Sequence, residues 1–107
     1  MRRFGQVIGI KPEAIEEYER LHAKVWPEVL ATISACNIRN YTIFRHGQTL
    51  FAYFEYIGED FAADMAKMAA DARTREWWTH TDPLQVPFSD RAEGEWWLTM
   101  TEVFHTE

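Results

Sequence analysis

Cysteine is nearly missing from this chain of 107 residues. The single Cys36 can make no internal disulfide and belongs to no CxxC or zinc motif, so it is expected as a buried, inert thiol. Long hydrophobic runs are missing too. The apolar stretch from Val7 to Ile10 is short and broken by Gly9, too brief for a signal h-region or a membrane span, so no membrane partner and a cytoplasmic location are expected. Positive charge is in the minority: 11 Lys and Arg stand against 17 Asp and Glu, for a net charge of −6. Only Arg2 and Arg3 are adjacent, which leaves no basic stripe to neutralise phosphates and argues against nucleic acid as a partner. G-x-S-x-G, Walker and G-x-G-x-x-G motifs are all absent, so nucleophile-elbow, P-loop and Rossmann chemistries lack their signatures. No two histidines stand one helical turn apart and no Cys or carboxylate spacing suits a first-row metal, so no metal is expected.

Aromatic residues are what the chain has in plenty: 5 Trp, 4 Tyr and 7 Phe, more rings than so small a core needs. The adjacent pairs Trp77-Trp78 and Trp96-Trp97 cannot send both rings the same way on a helix or a strand, so one ring of each pair faces elsewhere. With 47% hydrophobic and 26% charged residues the composition is that of a globular protein, and residues 1–107 are read as one domain. A core of this size buries only about two-thirds of the unfolded chain's surface, so a subunit interface is an expected source of stability.

Periodicity orders the elements. Arg3 to Ile10 alternates, with Phe4, Ile8 and Ile10 on one side, and reads as a first strand. Pro12 suits a first helical position, with Glu13, Glu16 and Glu17 behind it where the helix dipole favours negative charge. The apolar stripe Ile15, Tyr18, Val25, Val29, Ile33 continues to about Asn37, and Pro27 breaks it into two pieces. Ile38 to Arg45, a turn at His46-Gly47, and Thr49 to Ile57 form a β-hairpin. Phe61, Met65, Met68 and Ala72 mark another helix capped by acidic residues, which Arg73 to Thr79 continues or follows as a separate piece. Asp82 to Gly94 holds enough turn formers to read as a long loop, and Trp96 to His105 alternates as a last strand. The order β-α-β-β-α-β predicts an α+β, ferredoxin-like fold, with one antiparallel sheet carrying helices on one face. Its other face is left to be covered, which two subunits pairing their sheets would achieve.

Among polar residues, His22 lies on the core-facing stripe one turn after Tyr18, placing the two side chains about 6 Å apart on one face. A titratable group facing a cavity beside a proline-broken helix is a candidate for proton chemistry. His46, His80 and His105 read as exposed polar residues. Glu16, Glu17 and Glu19 read as a solvated helix face.

The run Tyr18-Glu19-Arg20-Leu21-His22, then Val25-Trp26-Pro27-Glu28, Ile38-Arg39-Asn40-Tyr41-Thr42-Ile43-Phe44, Trp77-Trp78 and Thr101-Glu102-Val103-Phe104-His105 resembles the L-rhamnose mutarotases over nearly the whole length. The resemblance implies a dimeric α+β barrel of ferredoxin-like subunits, exchange of L-rhamnose anomers, and no cofactor. Carried over residue by residue, it implies that His22 is the proton donor and that Tyr18, Tyr41, Trp77 and Trp78 line the sugar. Which of the two tryptophans meets the sugar stays open.

Mutarotation removes a proton from the anomeric hydroxyl and delivers one to the ring oxygen; the C1–O5 bond breaks, the aldehyde rotates and the ring recloses. Histidine suits this because its unperturbed pKa of about 6.5 allows both protonation states near neutrality. His22 is expected to protonate the ring oxygen while Tyr18 fixes a sugar hydroxyl or the imidazole, the base for the anomeric hydroxyl being unassigned. Two other readings stand beside it: a cofactor-free oxygenase, by fold analogy, and a non-catalytic ligand-sensing dimer.

Overall fold

The computed structural model describes residues 1–107. Strand β1 (Arg2–Ile10) is followed by a 3-10 turn at Pro12–Ala14 and by helices α1 (Ile15–His22) and α2 (Pro27–Ala35). The hairpin β2 (Ile38–His46) and β3 (Thr49–Tyr56) comes next, then α3 (Phe61–Ala70) and α4 (Ala72–Thr81), a 3-10 turn at Asp82–Leu84, and the short strands β4 (Gln85–Val86) and β5 (Leu98–Met100). The sheet runs β2-β3-β1-β4, with β5 also on β1, and all pairings are antiparallel. This is the α+β, ferredoxin-like arrangement expected from the order of elements.

Each helical half is split where the sequence supplies a reason. Trp26 is extended (φ −59°, ψ 133°) ahead of Pro27, because the proline ring crowds the preceding residue out of the helical region. Pro27 then opens α2 at the position where a missing N–H costs least. In the second half Asp71 is extended, and its carboxylate accepts from the Thr74 N–H at 2.9 Å and hydroxyl at 2.8 Å, capping a new helix. Of the two expectations for Arg73 to Thr79, the separate piece is the one found.

One face of the sheet packs against the helices. Ile8, Ile10, Ala14, Tyr18 and Leu50 form one buried cluster, with Ile43, Leu84 and Trp97 against it. Ile38, Phe54 and Tyr56 form another, closed by Phe4, Phe61, Met65 and Met68. Full burial of such aliphatic and aromatic side chains stabilises by about 1.5–3 kcal/mol each. Cys36 is fully buried, and burial raises its thiol pKa. The tryptophan pairs split as their adjacency demands: Trp77 is buried and Trp78 half-buried, while Trp97 packs on the core and Trp96 is 38% exposed.

Strand β2 contains a bulge that alternation alone did not reveal. Arg39 pairs with Glu55 and Thr42 with Tyr53, so Asn40 and Tyr41 together face the single residue Phe54. Asn40 has a positive φ of 52°, a conformation asparagine tolerates, and its amide donates to Glu55 at 2.7 Å. The extra residue resets the parity. Ile38 and Tyr41, three positions apart, therefore both face the helices.

Two expectations at the C-terminal end are corrected. The stretch Asp82 to Gly94, expected as loop throughout, begins with a 3-10 turn and with β4, whose Gln85 pairs with Ile10 and Val86 with Gly9. A Cβ on Gly9 would sit 2.8 Å from the Val86 carbonyl oxygen, so this close approach depends on glycine. The last strand, expected from Trp96 to His105, is confined to Leu98–Met100. Met100 already pairs with Gly5, so an antiparallel continuation reaches the start of β1 within three residues. Beyond that point no strand of this chain is left to pair with, and Val103 and Phe104 are 92% and 78% exposed.

Candidate active site

Tyr18 and His22 leave α1 one turn apart and stack, with ring centroids 4.2 Å apart. His22 Nδ1 donates to the Tyr18 backbone carbonyl at 2.9 Å. Because a carbonyl oxygen only accepts, the Nδ1 proton is fixed, and in the neutral ring Nε2 carries the lone pair. Burial lowers the His22 pKa below its usual value, and the hydrogen bond to Tyr18 offsets this only in part. The resting imidazole at neutral pH is therefore uncharged, with a basic nitrogen on the side away from its own helix.

Trp77 makes an edge contact with His22, centroids 5.4 Å apart, and another with Trp26 at 5.1 Å. It is 6% exposed, so it backs the imidazole from within the core. Trp78, half-buried, leaves α4 about 100° further round. Trp26, named from the sequence only within the motif Val25-Trp26-Pro27-Glu28, is also part of this wall, and the Arg73 guanidinium lies over it at 3.8 Å.

Tyr41 reaches the same region from the sheet, aimed there by the bulge. Its ring lies 5.5 Å from Phe54. The residue is 40% exposed, and the partial burial of its phenol pushes it up to about 12. Burial also raises the Tyr18 phenol, as do the neighbouring Tyr41 and, more weakly, Asp82, while a hydrogen bond from Gln85 acts the other way. Both phenols are protonated throughout the neutral range. Asp82, at the end of α4, is itself pushed up by burial. The structure thus brings His22, Tyr18 and Trp77 into contact, with Tyr41 near enough to Tyr18 to act on it electrostatically, while Trp78 takes part in none of these ring contacts; His46, His80 and His105 are exposed, as expected.

Three residues here were given no site role from the sequence: Asp82, Gln85 and Trp96. Gln85 Nε2 donates to Tyr18 Oη at 3.2 Å, and Trp96 Nε1 donates to Gln85 Oε1 at 2.7 Å. The sequence signals for them were the length of the segment that holds Asp82 and Gln85, since long loops in compact domains tend to be functional, and for Trp96 its adjacency to Trp97. A separate open cleft of about 490 Å³ lies between Lys11–Glu13 and Val86–Ser89. None of the five candidate residues lines it.

An antiparallel half-barrel with helices on one face, enclosing a histidine among tyrosines and tryptophans, has the architecture of the dimeric α+β barrel class and the groups for proton transfer. The family model described as L-rhamnose mutarotase matches residues 3–106, and this chain belongs to that family of isomerases, which interconvert the anomers of rhamnose. An L-rhamnose mutarotase of Oceanobacillus iheyensis is 33% identical over 109 residues, with both chains fully covered. One of Lactiplantibacillus plantarum is 34% identical over 110 residues, again with full coverage of both. The fold matches the crystal structure of L-rhamnose mutarotase from Formosa agariphila with a TM-score of 0.79 at 20% identity, covering 100% of each chain.

Proposed function

We propose that residues 1–107 act as one domain that interconverts α- and β-L-rhamnopyranose at the cluster of Tyr18, His22 and Tyr41, with Trp77 behind the imidazole and Trp78 at its edge. The observation that carries this reading is the 2.9 Å bond from His22 Nδ1 to the Tyr18 carbonyl, which leaves Nε2 as the single proton-transfer atom of an uncharged imidazole.

His22 Nε2 takes the proton of the anomeric hydroxyl as C1=O1 forms and the C1–O5 bond breaks, and it returns that proton to O5. O1 and O5 share one carbon, so a single nitrogen reaches both. After rotation about C1–C2 the steps reverse on the other face of the aldehyde: O5 attacks C1, its proton leaves to Nε2, and O1 is protonated. The expectation that His22 serves as proton donor is thereby extended, because an imidazole that rests neutral acts first as base and then as acid. A matched acid/base of this kind contributes about 10²- to 10⁴-fold, enough for a reaction that already proceeds in water. Tyr18 and Tyr41, both un-ionised, supply hydroxyls for the sugar oxygens.

A homodimer belongs to this proposal. On the sheet face away from the helices, Phe44 and Phe51 sit opposite one another and are 65% and 38% exposed, and Met100 nearby is 39% exposed. Apolar area of this kind supports burial against a second copy. No helix is long and apolar enough to cross a membrane. We further assign the enzyme to the cytoplasm, a reading that the free thiol of Cys36 supports.

The deciding experiment is NMR magnetisation exchange between the anomers of L-rhamnose, with and without the protein. Catalysed exchange is the expected result. Binding without faster exchange would mean a sensor, and neither binding nor exchange would leave the proposal without a substrate.

A further inference from the structure

We infer that Gln85, oriented by Trp96, fixes Tyr18 as a hydrogen-bond donor toward the sugar, which makes Gln85 and Trp96 positioning residues of the reaction. The inference rests on the proposal that Tyr18 meets the sugar.

The argument is one of donors and acceptors. An indole N–H can only donate, so the atom it meets on Gln85 is the amide oxygen. That contact, 2.7 Å long, decides which way round the amide stands. Its NH₂ is then turned to Tyr18 Oη at 3.2 Å. A phenol has one proton and two lone pairs, and a lone pair receives the Gln85 N–H. The proton of Tyr18 is left for another acceptor, and Gln85 is the sole protein group bonded to this oxygen. Gln85 and Tyr18 are 6% and 4% exposed, so the pair is shielded from exchange with bulk water. Tyr41 and Asp82 stand near enough to Tyr18 to act on it electrostatically, and both favour the protonated phenol.

The fold holds this relay from both ends. Gln85 is placed by β4, which pairs with β1 across from Ile10. Trp96 is delivered by a loop tied to itself: Arg91 donates to the Glu95 carbonyl at 2.7 Å and to the Phe88 carbonyl at 2.9 Å, and the Ala92 N–H donates to the Glu95 carboxylate at 3.0 Å. The functional consequence lies in which sugar oxygens can answer. A sugar hydroxyl donates or accepts, whereas the ring oxygen and the aldehyde oxygen only accept. A phenol locked as a donor recognises an accepting oxygen.

The test is anomer exchange, resolved into kcat and KM, for Gln85→Glu and Trp96→Phe, each alone and in a Tyr18→Phe background, with folding checked by circular dichroism. An ionised carboxylate in place of the Gln85 amide offers only lone pairs and would draw the Tyr18 proton to itself, so KM for L-rhamnose is expected to rise about tenfold, the scale of one net hydrogen bond. This rise should shrink as the pH falls, because a protonated carboxyl donates as the amide did. Trp96→Phe keeps an aromatic ring but frees the amide to turn, for a rise of about threefold. Neither change should add to the effect of Tyr18→Phe. Native KM in both single variants, or effects that persist in full without the Tyr18 hydroxyl, would overturn the relay. If Gln85→Glu does not fold, Trp96→Phe alone decides, since its ring is partly exposed. A Tyr18→Phe enzyme with unchanged KM would instead remove Tyr18 from sugar binding and overturn the proposal beneath this one.

Discussion

His22 takes both its stacking partner and its hydrogen bond from one residue: the ring lies 4.2 Å from that of Tyr18, and Nδ1 donates to the Tyr18 carbonyl at 2.9 Å. The imidazole is thereby fixed in position and in tautomer by its own helix. Replacing it with asparagine should leave the fold intact and lower the catalysed exchange rate by about 10²- to 10⁴-fold. NMR exchange on the folded variant measures this; a native rate would take His22 out of the mechanism.

Burial lowers the His22 pKa, and the sign fixes the direction of its pH effects. In the proposed mechanism the neutral imidazole is the working base, so kcat/KM should be level near pH 7 and fall on acidification with a midpoint below about 6.5, the unperturbed value. Stability follows the same sense: the unfolded chain binds the proton more readily, so His22 contributes a loss of stability as pH falls from that value through its folded pKa. The Cε1 proton shift of His22 gives the midpoint directly. A midpoint above the ordinary histidine value would contradict the burial described here.

At the other end of the scale, Tyr41 is pushed up to about 12 and should remain a phenol well past pH 9. Its unfolded pKa of about 10 is lower, so stability is expected to decline as pH rises through that value toward the folded one. Tyrosinate absorbance during an alkaline titration checks this, Tyr41 ionising late.

The bulge at Asn40 offers a structural test. A β-branched residue at φ 52° is strained, so Asn40→Val should destabilise by about 1–2 kcal/mol, whereas Asn40→Gly should be tolerated. Deleting Asn40 removes the parity shift and should turn Tyr41 out of the site, raising KM for L-rhamnose. Urea unfolding and exchange kinetics report the two effects separately.

For the exposed sheet face, sedimentation at micromolar concentration is expected to give a homodimer. Phe44→Lys should shift it toward monomer, since it places a charge beside Phe51 in the middle of the apolar patch.

The elements were legible in the sequence wherever pattern alone determined them. The break at Pro27, the hairpin and the stacked pair Tyr18 and His22 followed from spacing and from proline and glycine chemistry. The bulge was hidden, because Ile38 and Tyr41 look out of phase until one extra residue is allowed between them. Gln85 and Trp96 were hidden for a different reason. Their partnership spans a loop whose path is set by Arg91, and no periodicity encodes where such a loop brings two side chains. Alternation alone overextends β5, because it continues to His105, whereas the pairing stops at Met100 and β1, which begins at Arg2, offers no partner beyond Val103.

His22 is also the last residue of α1, at the end where a helix carries partial negative charge. A partly buried imidazole resists protonation, yet in each turnover of the proposed mechanism it must become an imidazolium for a moment. The Tyr18 carbonyl already bonded to Nδ1 stands ready for the transient cation without having to rearrange. The opposing influences of partial burial and of that carbonyl keep the proton neither too reluctantly accepted nor too firmly held, which is the balance a group needs if it is to hand the same proton back.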